Sequence, residues 1–261
     1  MKNKRILLFY INSQSGHNKA SLAIEKALKI VNPQVETLNI NFFRYTNAFL
    51  EKLIDRIYMG IIKKKPQVWD FLYDNQKFAE KTSKVKDFVN EVNSKKLEKL
   101  VREFQPDSIF CTQAYPCGAV SNFKYVNHVQ IPLVAVLTDY IAHAYWIYPN
   151  VDFYVVPSEQ AKAKLMDAGI DGKTVRILGI PVDPKFSKES DRDVVFDRMG
   201  LKKDSPVALL MGGNHGLGPM EIMVSDLLEK KQDLQLLVVA GNNKKLLKKM
   251  TKLRSQGKKN L

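Results

Sequence analysis

The chain is poor in cysteine and contains no long apolar run, and these two absences exclude several classes of protein. Its two cysteines, Cys111 and Cys117, have no His or Cys partner at zinc-finger spacing, so we expect reduced thiols and no disulfide framework. No stretch approaches the roughly 20 apolar residues of a membrane-spanning helix, and the apolar run near residue 6 is too short for a secretory signal. We therefore expect a cytoplasmic protein that touches a membrane only at its surface.

Two phosphate-binding motifs are also missing. The loop after the first apolar run reads NSQSGH, without the G-x-G-x-x-G spacing of a dinucleotide site or the G-K-[ST] ending of a P-loop. There is no convincing cluster of metal ligands either, so we expect no metal.

A chain of 261 residues with 45% hydrophobic residues is long enough for one large or two modest domains. It carries a formal net charge of +14. Such an excess attracts nucleic acid, anionic lipid or acidic small molecules, and by itself it selects none of them.

Short apolar runs alternate with helical patterns through the first 185 residues, as expected for buried parallel strands with crossover helices. The predicted strands are residues 5–11, 34–40, 108–112, 133–137, 153–156 and 175–178. Helices are predicted after residue 17, over 78–104, about 119–125 and 159–168, with a mostly helical insertion over 42–74 and a strand-end loop over 113–118. This order predicts an α/β domain with a doubly wound parallel sheet over residues 1–185.

A charged segment over 186–204 is predicted to be a linker to a second domain over 205–261. That second part starts like the first one, with a strand, a glycine-rich loop and a helix. The loop contains four spaced glycines: Gly212, Gly213, Gly216 and Gly218. Two strands and two helices are too few to complete a doubly wound domain of about 100 residues, so we expect an incomplete one.

Polar residues follow the predicted strands at the edge where ligands collect in such folds. His17 follows the first strand, and Thr138 and Asp139 follow the fourth. For His17 we weigh a helix cap against a functional base, since a histidine titrates near neutral pH. Asp139 is either a helix cap or a functional carboxylate.

The segment over 53–74 combines a helical apolar stripe with basic and aromatic residues. Lys63, Lys64 and Lys65 precede Trp69, and this interleaving is typical of a contact with lipid headgroups. The alternative is a core helix with a solvated charged end.

Seven sequence blocks in order resemble the family of monogalactosyldiacylglycerol synthases and bacterial processive diacylglycerol glucosyltransferases. They are SGH at 15–17, YMGIIKKKPQVWDFLYD at 58–74, PDSIFCTQAYPCGAVSNFK at 106–124, LTDYIAHAYW at 137–146, VDFYVVPSE at 151–159, GIPVDPKF at 179–186 and MGGNHGLGP at 211–219. The resemblance covers essentially the whole chain.

The resemblance implies a GT-B fold, in which two Rossmann-like domains face each other across a cleft. The N-terminal domain would bind the lipid acceptor and lean on the inner face of an anionic cell membrane, and the C-terminal domain would bind a UDP-sugar. The implied reaction is inverting transfer of a hexose to diacylglycerol without a metal or cofactor.

By this resemblance His17 is the candidate base, and Asp139 is a rival base or orients the acceptor. The implied acceptor-binding residues are Gly16, Tyr115, Thr138, His143 and Trp146, and the four loop glycines would bind the donor.

The chain departs from the family in two places. Ser13, Gln14 and Ser15 stand where the family usually has glycines. The family's later G-G-x-T segment and its ribose-binding acidic residue have no counterpart over 246–261, so we expect a truncated donor half. A non-catalytic lipid-binding module and a transferase for another lipid-linked acceptor remain alternatives; nucleic-acid binding lacks a motif. The sequence leaves the oligomeric state open.

Overall fold

The computed structural model describes residues 3–47, 83–230 and 233–255, with only the backbone over 83–93. The chain divides into two compact units, Met1–Ser187 and Lys188–Leu261. The residues predicted to contact a membrane, Lys63, Lys64, Lys65 and Trp69, lie outside the described residues, as does most of the predicted insertion.

The first unit contains a six-stranded parallel sheet in the order β2-β1-β3-β4-β5-β6. The strands are β1 (Arg5–Tyr10), β2 (Glu36–Asn41), β3 (Ser108–Cys111), β4 (Leu133–Val136), β5 (Phe153–Val156) and β6 (Val175–Ile177). The predicted doubly wound α/β fold is thus confirmed for this unit, and all six predicted strands are present.

Strand β1 is central because it is buried on both faces. Leu7 and Phe9 point into the larger hydrophobic core, whereas Ile6 and Leu8 belong to a smaller cluster on the opposite face. This alternation follows from the two-residue repeat of a strand, and it explains why β1 reads as a continuous apolar run.

The described α-helices of the first unit are α1 (Gly16–Val31), α2 (Phe42–Thr46), α3 (Ser83–Phe104), α4 (Ala114–Val126) and α5 (Glu159–Asp167). The prediction of a loop over 113–118 was wrong, because α4 begins at Ala114. The side chain of Gln113 caps this helix by accepting a hydrogen bond from the Tyr115 N–H. Pro116 lies in the first turn, where its missing N–H costs nothing.

The second unit contains β7 (Val207–Met211) and β8 (Gln235–Val239), which pair in parallel, and α6 (Arg192–Met199), α7 (Met220–Lys230) and α8 (Lys244–Ser255). Its core lies between one face of the two strands and α7 and α8. The segment over 186–204, predicted as a linker, contains α6, which ends at Gly200 in the left-handed conformation.

Among residues 3–47, 83–230 and 233–255, no helix has the length and apolar character needed to cross a bilayer.

Candidate active site at the carboxyl edge of the parallel sheet

The candidate site lies where the strand order of the six-stranded sheet reverses. The chain goes from β1 outward to β2 and then returns to β3 on the other side of β1. The loops after β1 and β3 therefore diverge, and such a switch point opens a crevice at the carboxyl ends of the strands. His17 follows β1, Thr112 follows β3, and Thr138 and Asp139 follow β4.

The loop between β1 and α1 is built by short polar side chains. Asn12 adopts a positive φ of 56°, and its side chain accepts a hydrogen bond from the Gln14 N–H at 3.0 Å. The Ser15 side chain caps α1 by accepting from the Asn18 N–H at 3.2 Å, and its hydroxyl lies 2.7 Å from the Ile11 carbonyl. These contacts fix the first turn of α1, in which His17 is the second residue.

The His17 side chain reaches across the switch point to two other strand ends. Its Nδ1 lies 2.9 Å from the Thr112 carbonyl oxygen and 2.8 Å from the Thr138 hydroxyl. Thr112 is fully buried. From the sequence it was predicted only as the last residue of a strand, and its contact with His17 was not foreseen. Its only sequence signal is that it is a polar residue at the end of an apolar run.

Electrostatics couples His17 to Asp139. Burial lowers the pKa of His17, while the Asp139 charge and the bond to Thr112 act in the opposite direction. Burial raises the pKa of Asp139, and His17 counteracts this shift. Burial thus favours the neutral form of the imidazole, which is the form able to take up a proton.

Two predicted acceptor-binding residues, His143 and Trp146, are buried. His143 Nε2 lies 3.8 Å from an Asp139 carboxylate oxygen, and Trp146 is 0% exposed within the main core. The Tyr154 hydroxyl holds this segment by hydrogen bonding to the carbonyl of Trp146 at 3.1 Å. Trp146 therefore presents no surface to an acceptor in this structure.

The other two residues predicted to bind the acceptor occupy different surroundings. Gly16 is exposed at the first position of α1, beside His17. Tyr115 is half-buried in an aromatic cluster, with its ring centre 4.6 Å from that of Phe43 and 5.8 Å from that of Phe42. Gly16, His17, Thr138 and Asp139 thus share the strand-end edge, whereas Tyr115 packs mainly against α2.

In the second unit the glycine-rich loop joins β7 to α7 and is bound to the loop after β8. The Asn242 N–H donates to the Asn214 carbonyl at 2.8 Å, and the Asn243 side-chain amide donates to the Gly216 carbonyl at 3.0 Å. The loop leads directly into α7, so it lies at the N-terminus of that helix, and helix N-termini favour anions. Gly212, Gly213, Gly216 and Gly218 all lie in this loop.

Within the part of the chain that the structure describes, no group of three or more His, Cys, Asp or Glu side chains is placed to hold a metal ion.

Comparison with known proteins identifies similar chains over most of this length. The family model described as monogalactosyldiacylglycerol (MGDG) synthase matches residues 17–182. A processive diacylglycerol beta-glucosyltransferase of Bacillus licheniformis is 26% identical over 92% of this chain and 62% of the relative. The protein of the same description from Bacillus subtilis is 26% identical over 97% of this chain and 65% of the relative. The chain thus spans less than two thirds of the length of these relatives.

Solved structures support the fold. S. aureus MnaA, in a co-structure with UDP, is 17% identical with a TM-score of 0.56, over 98% of this chain and 67% of that one. Anabaena Alr3699/HepE, in complex with UDP-glucose, is 11% identical with a TM-score of 0.54, over 97% of this chain and 66% of that one. At these identities the likeness establishes a shared fold.

Proposed function

The chain belongs to the monogalactosyldiacylglycerol synthase family, and we propose that it is the acceptor-binding part of an enzyme that transfers a hexose from a UDP-sugar to diacylglycerol. The observation that carries this proposal is His17, held at the switch point beside Asp139 and kept neutral by burial. Curated relatives named as diacylglycerol glucosyltransferases support the choice of acceptor.

The proposed reaction needs a base because a lipid hydroxyl is a weak nucleophile until its proton is removed. His17 takes this proton, the hydroxyl oxygen attacks the anomeric carbon, and the bond from that carbon to UDP breaks. Attack from the face opposite UDP gives inversion. Asp139 stabilises the imidazolium formed in this step, or itself takes the proton. Gly16 directly precedes the base, and the Thr138 hydroxyl contacts Nδ1 of its ring.

The donor part of the proposal rests on the glycine-rich loop of the second unit. Its backbone lies at the start of α7, where the pyrophosphate of a UDP-sugar is favoured electrostatically. The reaction as proposed uses no metal and no cofactor.

We place the enzyme at the cytoplasmic face of the cell membrane, where diacylglycerol is dissolved. The net charge of +14 favours anionic lipid, and the sequence over residues 63–65 together with Trp69 supplies the predicted contact. The protein would then be peripheral, and nucleic acid is not a partner in this proposal.

A transfer assay with matched histidine variants tests the base. We expect His17→Asn to lower hexose transfer from UDP-glucose or UDP-galactose to diacylglycerol in anionic vesicles by about 10²–10⁴-fold, which is the usual contribution of a general base. His128→Asn is the control, because His128 is exposed after α4, has a positive φ that asparagine tolerates, and lies at the opposite edge of the sheet.

The same assay separates the alternatives. A larger loss for Asp139→Asn than for His17→Asn would assign the base to Asp139. Calorimetric titration of the chain with UDP shows whether the glycine-rich loop binds the donor. Vesicle binding without UDP binding would mean that the chain is the acceptor half of an enzyme whose donor half lies elsewhere. A full-length version that binds vesicles but transfers no hexose to diacylglycerol would contradict the enzyme proposal and favour a non-catalytic lipid-binding module.

A further inference from the structure

The hydrogen-bond partners of His17 determine which of its ring nitrogens carries the hydrogen. A carbonyl oxygen only accepts hydrogen bonds, so the 2.9 Å contact with the Thr112 carbonyl requires a hydrogen on Nδ1. The Thr138 hydroxyl, 2.8 Å from the same nitrogen, then accepts that hydrogen in a three-centre arrangement. In the neutral imidazole the lone pair is consequently on Nε2.

Thr112 holds His17 through both its side chain and its main chain. Its hydroxyl donates to the His17 carbonyl at 2.9 Å, while its own carbonyl accepts from the His17 ring. Thr112 is 0% exposed, and its N–H donates to the Phe9 carbonyl at 3.0 Å, so the residue is anchored to β1. A buried residue bound to both the backbone and the ring of one histidine fixes the position and rotation of that ring.

We propose that Thr112 and Thr138 are positioning residues that hold His17 in its Nδ1–H tautomer, so that Nε2 is the atom that removes the proton from the acceptor hydroxyl. This assignment rests on the proposed function of His17. In the step, the acceptor O–H bond breaks and the Nε2–H bond forms. The electron pair left on the acceptor oxygen forms the new bond to the anomeric carbon, and UDP leaves with the electrons of the bond that joined it to that carbon.

The tautomer also suits the charge that develops. When Nε2 takes up the proton, the ring becomes a cation whose Nδ1–H already points at two oxygen atoms. Hydrogen bonds to the charged form favour it, so both threonines stabilise the imidazolium. The charge of Asp139 also raises the pKa of His17 and so favours the imidazolium. His143 Nε2 lies 3.8 Å from the Asp139 carboxylate.

Nitrogen NMR on histidine-labelled chain tests the tautomer without relying on activity. The chain has four histidines, and the His17→Asn variant assigns the His17 signals by their loss. At a pH where the ring is neutral we expect a protonated Nδ1 and an unprotonated Nε2. A protonated Nε2 would overturn the proposal whatever the enzyme activity is.

Substitution of Thr138 tests the positioning role. Thr138→Val keeps the shape and removes the hydroxyl, whereas Thr138→Ser keeps the hydroxyl. We expect Thr138→Val to lower kcat roughly tenfold, with KM for the UDP-sugar unchanged and the acidic limb of the pH profile moved to lower pH. Thr138→Ser should retain most of the kcat and the original profile.

Two further outcomes keep the inference separate from the proposed function. Equal kcat and pH profiles for Thr138→Val and the unchanged protein would overturn the positioning role. An Nδ1–H tautomer in a protein that transfers no hexose would contradict the proposed function and leave the tautomer assignment standing. Thr112→Val removes the hydroxyl that binds the His17 main chain. We expect a smaller fraction of the Nδ1–H tautomer in the nitrogen spectrum of this variant, and its amide spectrum shows whether the chain is folded.

Discussion

The partly buried carboxyl group of Asp139 lies beside His17, and each group influences the charge of the other. Burial disfavours the carboxylate and also disfavours the imidazolium, while their mutual attraction favours both. Burial of these two ionisable groups therefore costs folding stability, which is a common feature of functional sites and agrees with the proposed role of this one.

The raised pKa of Asp139 gives a stability prediction with a definite sign. A carboxyl group with a higher pKa in the folded than in the unfolded chain contributes stability below its unfolded pKa and loses it as the pH rises through the folded pKa. We therefore expect Asp139→Asn to raise the Tm at pH 7, and this gain should shrink as the pH falls toward 4. Thermal unfolding at several pH values measures it. Asp167→Asn, the same substitution at an exposed helix end, is the matched control.

Single residues also show what the sequence allows to be predicted. His17, Thr138 and Asp139 were found because polar residues after parallel strands collect at one edge. Thr112 was missed because its main contact is made by a carbonyl oxygen, which every residue possesses. Trp146 was expected beside the acceptor, but the Tyr154 hydroxyl binds its main chain and the ring packs into the core.

Among the elements, the strands were predicted more accurately than the start of α4. Buried parallel strands produce continuous apolar runs that stand out in the sequence. For α4, the sequence predicted a strand-end loop over 113–118 and a helix only from about residue 119. In the structure Gln113 caps the helix, and a proline in the first turn has no hydrogen bond to lose. Whether a proline breaks a helix or is tolerated in it therefore depends on where the N-cap places the first turn.

The loops after β7 and β8 approach each other so closely that a side chain cannot be accommodated at one of the loop glycines, Gly216. Gly216 has a φ of 54°, and a Cβ atom there would clash with the Ala240 carbonyl oxygen. We expect Gly216→Ala to destabilise the second unit by about 2 kcal/mol or more, measured by denaturant unfolding. Gly16→Ala is the matched control, because no atom lies within 4 Å of its added Cβ. Equal stability of the two variants would contradict the close approach of these two loops.

At the scale of the whole molecule, the two units differ in how much of a domain each contains. The first has six described strands, with clusters of buried apolar side chains on both faces of the sheet, and the family model matches within it over residues 17–182. The second has two described strands and a smaller core. The proposed base and its positioning residues all belong to the first unit, whereas the glycine-rich loop proposed to bind the donor belongs to the second.

Net charge and local contact make different predictions for membrane binding, and matched substitutions separate them. Replacing Lys63, Lys64 and Lys65 by glutamine lowers the formal charge from +14 to +11, and so does replacing Lys244, Lys245 and Lys248, which are exposed on α8. A basic residue near an anionic surface contributes about 1 kcal/mol, so we expect the first triple variant to lose roughly a hundredfold in affinity for anionic vesicles. The second should lose much less. Vesicle sedimentation at fixed salt measures both. Equal losses would show that binding follows total charge, and they would refute a dedicated contact at residues 63–69.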